Sequence, residues 1–345
     1  MLVLPAVRNR LPDRRSQRVD SLPAALRSRT MDIQNCSVAE RLGSADAEVR
    51  RLAVIDLPYG DEDDIVPLLL PRLSDPDASV RTEAVRALEG YEEPEVVSAL
   101  APMLLDADAD VRAAAGVVLS ELKESASAVP LLPFLRGHSA EVRMLALRAI
   151  RALRVPEAFA PAMEALQDAD AGVRREAVGV LGYLRMPEAI GALAQVAARD
   201  ADADVRRIAI GAIGYSSEVS VLPALTRGLA DTAWMVRDEA AQTLGKLRLG
   251  LAIPDLIRAL HDEYWQVRVK AARSLGLLKA VAALPALIEA LTHTIGNVRK
   301  EAAIALGEIA DPRAIPALEA ALGDADPDVR KLSRLALTAI TLAQK

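Results

Sequence analysis

Apolar and polar residues alternate with helical periodicity along most of this chain, and the alternation itself repeats. A Val-Arg pair recurs at Val49, Val80, Val111, Val142, Val173, Val205, Val236, Val267, Val298 and Val329, every spacing being 31 residues except one of 32. Self-similarity at such a period marks an array of stacked supersecondary units. Counted from each Val, position +4 is Ala in nine of the ten units and position +8 is Leu or Ile in all ten. Val, +4, +8 and +11 share one stripe of a 3.6-residue helix, with a small residue at its centre where a neighbouring helix can come close. Gly182, Gly214, Gly245, Gly276 and Gly307 follow at +9, toward the helix end, where glycine serves termination or close packing.

A first helix precedes this second one in each unit. Pro67, Pro223, Pro254, Pro285 and Pro316 stand 13 residues before the Val, which suits the first helical turn, where the missing N–H is no loss. In "IPDLIRALHD", Leu256, Ile257 and Leu260 supply the apolar face. Three residues before the Val stand Asp46, Asp77, Asp108, Ser139, Asp170, Asp202 and Asp326, good N-caps for the second helix, and Pro327 then falls at its first position. Two helices of about 11 residues cannot bury their own apolar surface, so the units must stack. In the last unit Ser333 and Arg334 occupy +4 and +5, polar where the other units are apolar or glycine. Both are expected to face water at the end of the stack.

Paired helices with this period, reading D-x-D-x-x-V-R-x-x-A-x-x-A-L-G, resemble HEAT repeats of the phycobilisome-lyase type across residues 33–345. The resemblance implies an all-α solenoid, a right-handed superhelix of about ten HEAT-like helix pairs. It also implies that the arginines from Arg50 to Arg330 bond neighbouring turns as a ladder, and that positions +3 and +6 of the second helices line a concave face. Proteins of this kind include bilin lyases, chaperones, assembly factors and many that only bind proteins.

Composition narrows the choice. Apolar residues make up 52% of the chain but aromatics only 3%, so the core is aliphatic, as close-packed helices require. A single cysteine, Cys36, excludes an internal disulfide and a thiolate zinc site and favours a reducing compartment. No run approaches the ~18–20 apolar residues of a membrane span, and a cytoplasmic location is expected. Net charge is −6; residues 1–30 hold seven Arg and two Asp, leaving −11 on the rest. An acidic body argues against nucleic acid as a partner. Residues 1–30, with three prolines and no helical stripe, read as a basic, disordered N-terminal extension to the solenoid of residues 31–345.

Candidate chemistry is sparse. The runs "DADADV" at Asp106 and Asp200 and "DADPDV" at Asp324 imitate a calcium loop but lack its Gly at position 6 and Glu at position 12; helix capping explains them better. His138, His261 and His293 are followed by Ser, Asp and Thr. The His-Glu pairs of deoxyhypusine hydroxylase, a HEAT-repeat metal oxygenase, are therefore missing, and that reading is disfavoured. No nucleophile elbow, P-loop or dinucleotide fingerprint is present. Both tryptophans, Trp234 and Trp265, stand two residues before the Val, where the six preceding units carry Ala. The adjoining N-caps are lost in three consecutive units, at Ala233, Tyr264 and Ile295, at about 0.5–2 kcal/mol each. Trp234, Met235, His261, Tyr264, Trp265, His293 and Ile295 thus fall on neighbouring turns along one edge, where they can staple the stack or anchor a partner. A second candidate surface is the +3/+6 face, unusually apolar at Ala114, Val117, Leu145 and Ile208. The expected function is a non-catalytic scaffold or assembly chaperone that binds another protein through the concave face and the aromatic edge, with no cofactor, metal, nucleic acid or membrane. The alternative that the resemblance implies is a lyase-like factor handling a tetrapyrrole on a client protein, with His261, His293 and the two tryptophans around the ligand.

Overall fold

The computed structural model describes residues 37–60, 64–216 and 219–344; the N-terminal extension of residues 1–30 lies outside them. Every element among the described residues is helical, and none is long and apolar enough to cross a membrane. The chain divides into two compact units at Leu119/Ser120.

Repeats 1 to 3 form the first unit. Their second helices are Ala47–Asp56, Ala78–Ala87 and Ala109–Ser120. The first helices are short. In repeat 2, Val66–Leu69 passes into a 3₁₀ turn at Leu70–Ser74, and in repeat 3 Pro94–Leu100 passes into Ala101–Leu105. Pro71 and Pro102 each deny the continuing α-helix a donor and force the tighter winding.

Repeats 4 to 10 form the second unit. Repeat 4 opens on a 3₁₀ stretch, Ser125–Leu135, with Pro130 and Pro133 inside it, before its second helix Ala140–Ile150. The later pairs are Phe159–Ala165 with Ala171–Leu184, Ile190–Arg199 with Ala203–Ile213, and Leu222–Leu229 with Trp234–Lys246. Ile253–Ala259 with Trp265–Leu277, Leu284–Ala290 with Gly296–Ile309, and Ile315–Ala320 with Pro327–Ala343 complete the array. First helices are thus shorter than the 11 or so residues expected, while second helices meet that length. From Trp234–Lys246 onward each second helix packs on the first helix of its own repeat and, up to Gly296–Ile309, on the second helix of the next.

The core follows the stripe that the sequence marks. All nine +4 alanines are fully buried, and so are Val80, Val111, Val173, Val236, Val267 and Val329 at the head of the stripe. The +5 residues, such as Ala241, Ala272 and Ala303, are buried too. In the last repeat the two polar substitutions part company. Arg334 is exposed as expected, but Ser333 is 0% exposed and its hydroxyl finds no partner. Position +4 looks into the helix pair of its own repeat, so it stays covered even where the stack ends. Position +5 looks toward the next repeat, and in repeat 10 there is none. Thr338 and Thr341, on the same stripe as Arg334, are exposed with it.

Gly214 caps the end of its helix, whereas Gly245, Gly276 and Gly307 lie within theirs and serve close packing. A Cβ on Gly245 would lie 2.6 Å from the Cβ and 2.8 Å from the Cα of Ser274; one on Gly276 would lie 2.8 Å from the Cα of Ala305, and one on Gly307 2.9 Å from the Cα of Ala336. Each obstacle is the +7 residue of the next second helix, so successive helices cross backbone to backbone. Ser274 is buried and donates its hydroxyl to the Ala241 carbonyl across that crossing, at 2.7 Å.

Gly245→Ala is therefore expected to destabilise the protein by about 1–3 kcal/mol, since a backbone must move to admit one methyl. Gly191, on an exposed helical face where an added methyl would meet nothing within 4 Å, supplies the control. Gly191→Ala should stabilise by about 0.5 kcal/mol by removing backbone freedom from the unfolded chain. Urea midpoints of the two variants should move in opposite directions; a shared direction would place the helix crossings elsewhere.

Candidate functional site

The candidate edge is built on the N-termini of the second helices, and those are set by an arginine ladder. Arg50 binds both carboxylate oxygens of Asp75, 25 residues on, at 2.8 and 2.7 Å, and Arg81 binds Asp106 in the same way. The pattern continues with Arg174 and Asp200, Arg206 and Asp231, Arg237 and Asp262, and Arg299 and Asp324. Arg143 pairs with Asp168 at 2.7 Å. Most of these arginines also donate through Nη1 to two carbonyls of their own repeat, as Arg81 does to Asp75 and Pro76. One guanidinium therefore closes its own loop and grips the next.

The same loops explain the Asp-rich runs. In "DADADV" the first Asp (106 or 200) accepts the preceding arginine, and the second (108 or 202) caps the helix. Burial alone would raise the carboxyls of Asp75, Asp200, Asp231 and Asp262, but the bidentate arginines and a backbone N–H hold each below the ordinary Asp range. The ladder therefore contributes stability above pH 3.8, the ordinary value, and that contribution is lost as pH falls through the lower folded-state values.

Three consecutive repeats depart from this scheme at the cap. The N-caps Ala233, Tyr264 and Ile295 have no side-chain cap bond. Their backbone N–H groups are accepted by Asp231, Asp262 and His293 Nδ1, at 2.9, 2.9 and 3.0 Å, as those of the capped repeats are by their own ladder aspartates. Freed from capping, the side chain at Tyr264 stacks on Trp234 of the preceding repeat, with centroids 5.6 Å apart and planes 16° apart. The Arg237 guanidinium, buried and held by Asp262 and Glu263, lies 5.6 Å from the same Tyr264 ring. Trp234 is half-buried and Tyr264 is 40% exposed.

Of the other candidates, Met235, Trp265 and Ile295 are half-buried and His261 is exposed at the end of a first helix. His293 has another role. It occupies the ladder position held by Asp in the neighbouring repeats, facing Arg268 through Nε2 while Nδ1 accepts from Ile295. A neutral imidazole carries one N–H, so on whichever nitrogen it sits, one N–H meets another. Arg268 turns its Nε to the Asp262 carbonyl instead of gripping a carboxylate. The structure thus brings Trp234 and Tyr264 together and draws His293 into the stack. A sequence signal for this existed: an acid stands five residues before the Val in seven units, and His293 stands in that column.

The second candidate surface divides. Ala114 and Leu145 are buried, Ile208 is half-buried, and Val117 is 63% exposed. Farther along the +3 column Glu176 is buried beneath Arg148 and Arg151, at 3.0 to 3.1 Å. Glu301 is buried with Oε1 unpartnered, 3.8 Å from Arg273, and burial pushes its carboxyl above the ordinary range. No group of three His, Cys, Asp or Glu among the described residues is placed to hold a metal.

Comparison with known proteins locates this geometry. The HEAT-repeat family matches the chain over residues 37–120, 128–202, 190–268 and 253–338. No curated protein sequence matches it. Among solved structures it is similar to an engineered protein, at 22% identity and TM-score 0.52, covering 90% of this chain and 99% of that one. It is also similar to Kap95p as solved with RanGDP, at 14% identity and TM-score 0.63, over 94% of this chain and 51% of Kap95p. Kap95 in its complex with Nup1 gives 13% identity and TM-score 0.60, over 95% and 53%. The chain spans about half the length of these Kap95 chains. At such identities the likeness is one of fold.

Two changes test the electrostatics. His293→Asp should restore a bidentate rung with Arg268 and raise stability by about 1–2 kcal/mol; an unchanged or lower urea midpoint would show that the imidazole is not the weak rung. Glu301→Gln should raise the thermal midpoint at pH 7. A raised folded-state pKa means that ionising Glu301 costs the folded protein stability, a penalty absent below the ordinary value of 4.5 and growing as pH rises through the elevated one. The gap between variant and parent should close on acidification toward pH 4.5; a gap independent of pH would assign the effect to packing.

Proposed function

Because the chain belongs to the HEAT-repeat family, we propose that it is a protein-binding scaffold, acting as an assembly chaperone whose partner docks on the edge of repeats 7 and 8. The observation that carries this reading is the stacked Trp234–Tyr264 pair. Trp234 opens one second helix where the preceding repeats carry Ala, and Tyr264 stands at the N-cap of the next in place of a capping side chain, an exchange that gives up local stability for partly exposed aromatic surface. Rigid aromatics held by a packed framework are the residue types that dominate interface energetics, because little side-chain freedom is lost on docking. Arg237, fixed by Asp262 and Glu263, holds the Tyr264 ring from behind the rung. Kap95p, with a similar fold, was solved with RanGDP and with Nup1, so a helix-pair solenoid of this kind supports protein recognition.

A tetrapyrrole-handling role would require His293 and Trp234 to turn toward one ligand. His293 is committed to Arg268 and Ile295, and Trp234 to Tyr264. The protein-binding reading uses the residues as they stand.

The test is a double variant, Trp234→Ala with Tyr264→Ala. Affinity capture from extract of the source organism, read by mass spectrometry, should lose the partner held by the parent protein. Helical content should be unchanged, and stability should fall by no more than about 1–2 kcal/mol, the loss of a stacked pair and part of its buried area. Retained capture, or loss of binding only in step with unfolding, would reduce the pair to a staple.

A further inference from the structure

The opposite ends of the same helices carry an unexplained feature. At position +12 the chain leaves five second-helix segments of the second unit through a left-handed residue: Arg154 (φ 54°), Arg185 (φ 53°), Arg248 (φ 54°), Lys279 (φ 49°) and Ala310 (φ 57°). This conformation favours glycine or asparagine, and the Cβ of any other residue costs about 1 kcal/mol there. Four of the five are nevertheless cations. Among the described residues, none of the four, nor Lys246 in the last turn of its helix, makes an ion pair or a side-chain hydrogen bond, and all five are exposed. The ladder arginines, by contrast, are engaged on both sides. Unpaired positive charge on an acidic body is thus gathered along one edge.

A cation at a helix C-terminus gains from the helix dipole, and that accounts for one charge at a time. It does not account for the hollow beside them. Where the second helices of repeats 5 to 7 meet, Gly179, Gly182 and Gly211 leave a depression of about 360 Å³, walled by Tyr183, Ile208, Arg185, Lys246 and one acid, Glu239, whose carboxyl feels the charges of Arg207 and Lys246. Tyr183 is 45% exposed, and the guanidinium carbons of Arg151 and Arg154 lie 5.8 and 5.6 Å from its ring centroid. The edge therefore offers a row of free cations and, among them, one aromatic-walled recess able to take a single apolar side chain.

We propose that this edge, Arg154, Arg185, Lys246, Arg248 and Lys279 with the Tyr183 recess, binds an acidic, extended polypeptide segment. The spacing chooses the ligand. Neighbouring helices pack ~8–10 Å apart, and in the polyproline-II form of an extended chain every third residue returns to the same face ~9 Å farther on, so one acidic side chain meets the cation of each of repeats 4, 5, 7 and 8. A nucleic-acid strand places a charge every ~3.4 Å, several for each cation here. The acidic helix N-termini, ~20 Å away along helices of this length, repel a long polyanion. The inference rests on the protein-binding reading but uses the other edge, so the two fail separately.

The probe is a fluorescein-labelled peptide of about 15 residues, long enough to cross repeats 4 to 8, with Glu at every third position and one central Phe. Titrated with the full chain, its anisotropy should report saturable binding that weakens with added salt. Replacing Arg154, Arg185, Arg248 and Lys279 together by Gln should weaken binding about tenfold, the sum expected of four exposed charge pairs. Lysine at the three arginine positions should restore it, since charge rather than guanidinium geometry is at issue. Trp234→Ala with Tyr264→Ala should leave the peptide affinity as it was. The proposal is overturned if the peptide does not bind, or if the Gln variant binds it equally while melting lower, which leaves only the dipole role. It is also overturned if a single-stranded oligonucleotide of equal charge displaces the peptide more readily than unlabelled peptide does, or if binding is lost in the aromatic variant.

Discussion

One guanidinium per repeat sets the geometry on which the rest depends. By closing the loop of its own repeat and gripping the aspartate 25 or 26 residues ahead, a ladder arginine such as Arg81 or Arg174 fixes where the next second helix begins. A bidentate pair is directional, so it determines register as well as distance. The burial of the +4 alanines and the backbone contact at the +9 glycines require that register. A helix shifted by one residue would bring a side chain against Ser274, Ala305 or Ala336 where only glycine fits. The ladder and the small residues are two parts of one constraint.

Departures from the ladder are informative for that reason. The column of acids is interrupted at Gly137, in repeat 4, whose first segment is wound as a proline-containing 3₁₀ stretch. It is interrupted again at His293, where two donors converge on one ring. That second weakness adjoins the three repeats that abandon their side-chain caps and present Trp234 and Tyr264. Stability is relaxed where partly exposed aromatic surface is gained.

The second helices also sort charge by their direction. Their N-termini collect aspartates as caps and ladder acceptors, which helix polarity favours, and their C-termini in repeats 4, 5, 7 and 8 carry Arg154, Arg185, Arg248 and Lys279. The acids are consumed by hydrogen bonds within the fold and the cations are not. Net charge describes neither edge. It led to the expectation of an acidic body, whereas positive charge without a bonded carboxylate stands in line at one end of the helices.

What the sequence determined by itself was everything set within a few residues: the 31-residue period, the helix pairs, the caps at Asp46, Asp77 and Asp170, and the buried alanine stripe. These rest on i to i+3 and i to i+4 relations, which can be counted along the chain. What only the tertiary structure decided lies between repeats. Which aspartate of "DADADV" caps and which accepts the arginine, that Ser333 is covered while Arg334 is not, that Trp234 meets Tyr264, and that His293 faces Arg268 all depend on how one helix is set against the next. Those partners are 25 to 30 residues apart, and their meeting depends on a crossing register that no local periodicity encodes. The basic edge was hidden for a related reason: its cations share a backbone conformation, and a left-handed turn carrying arginine in place of glycine leaves no mark in the sequence.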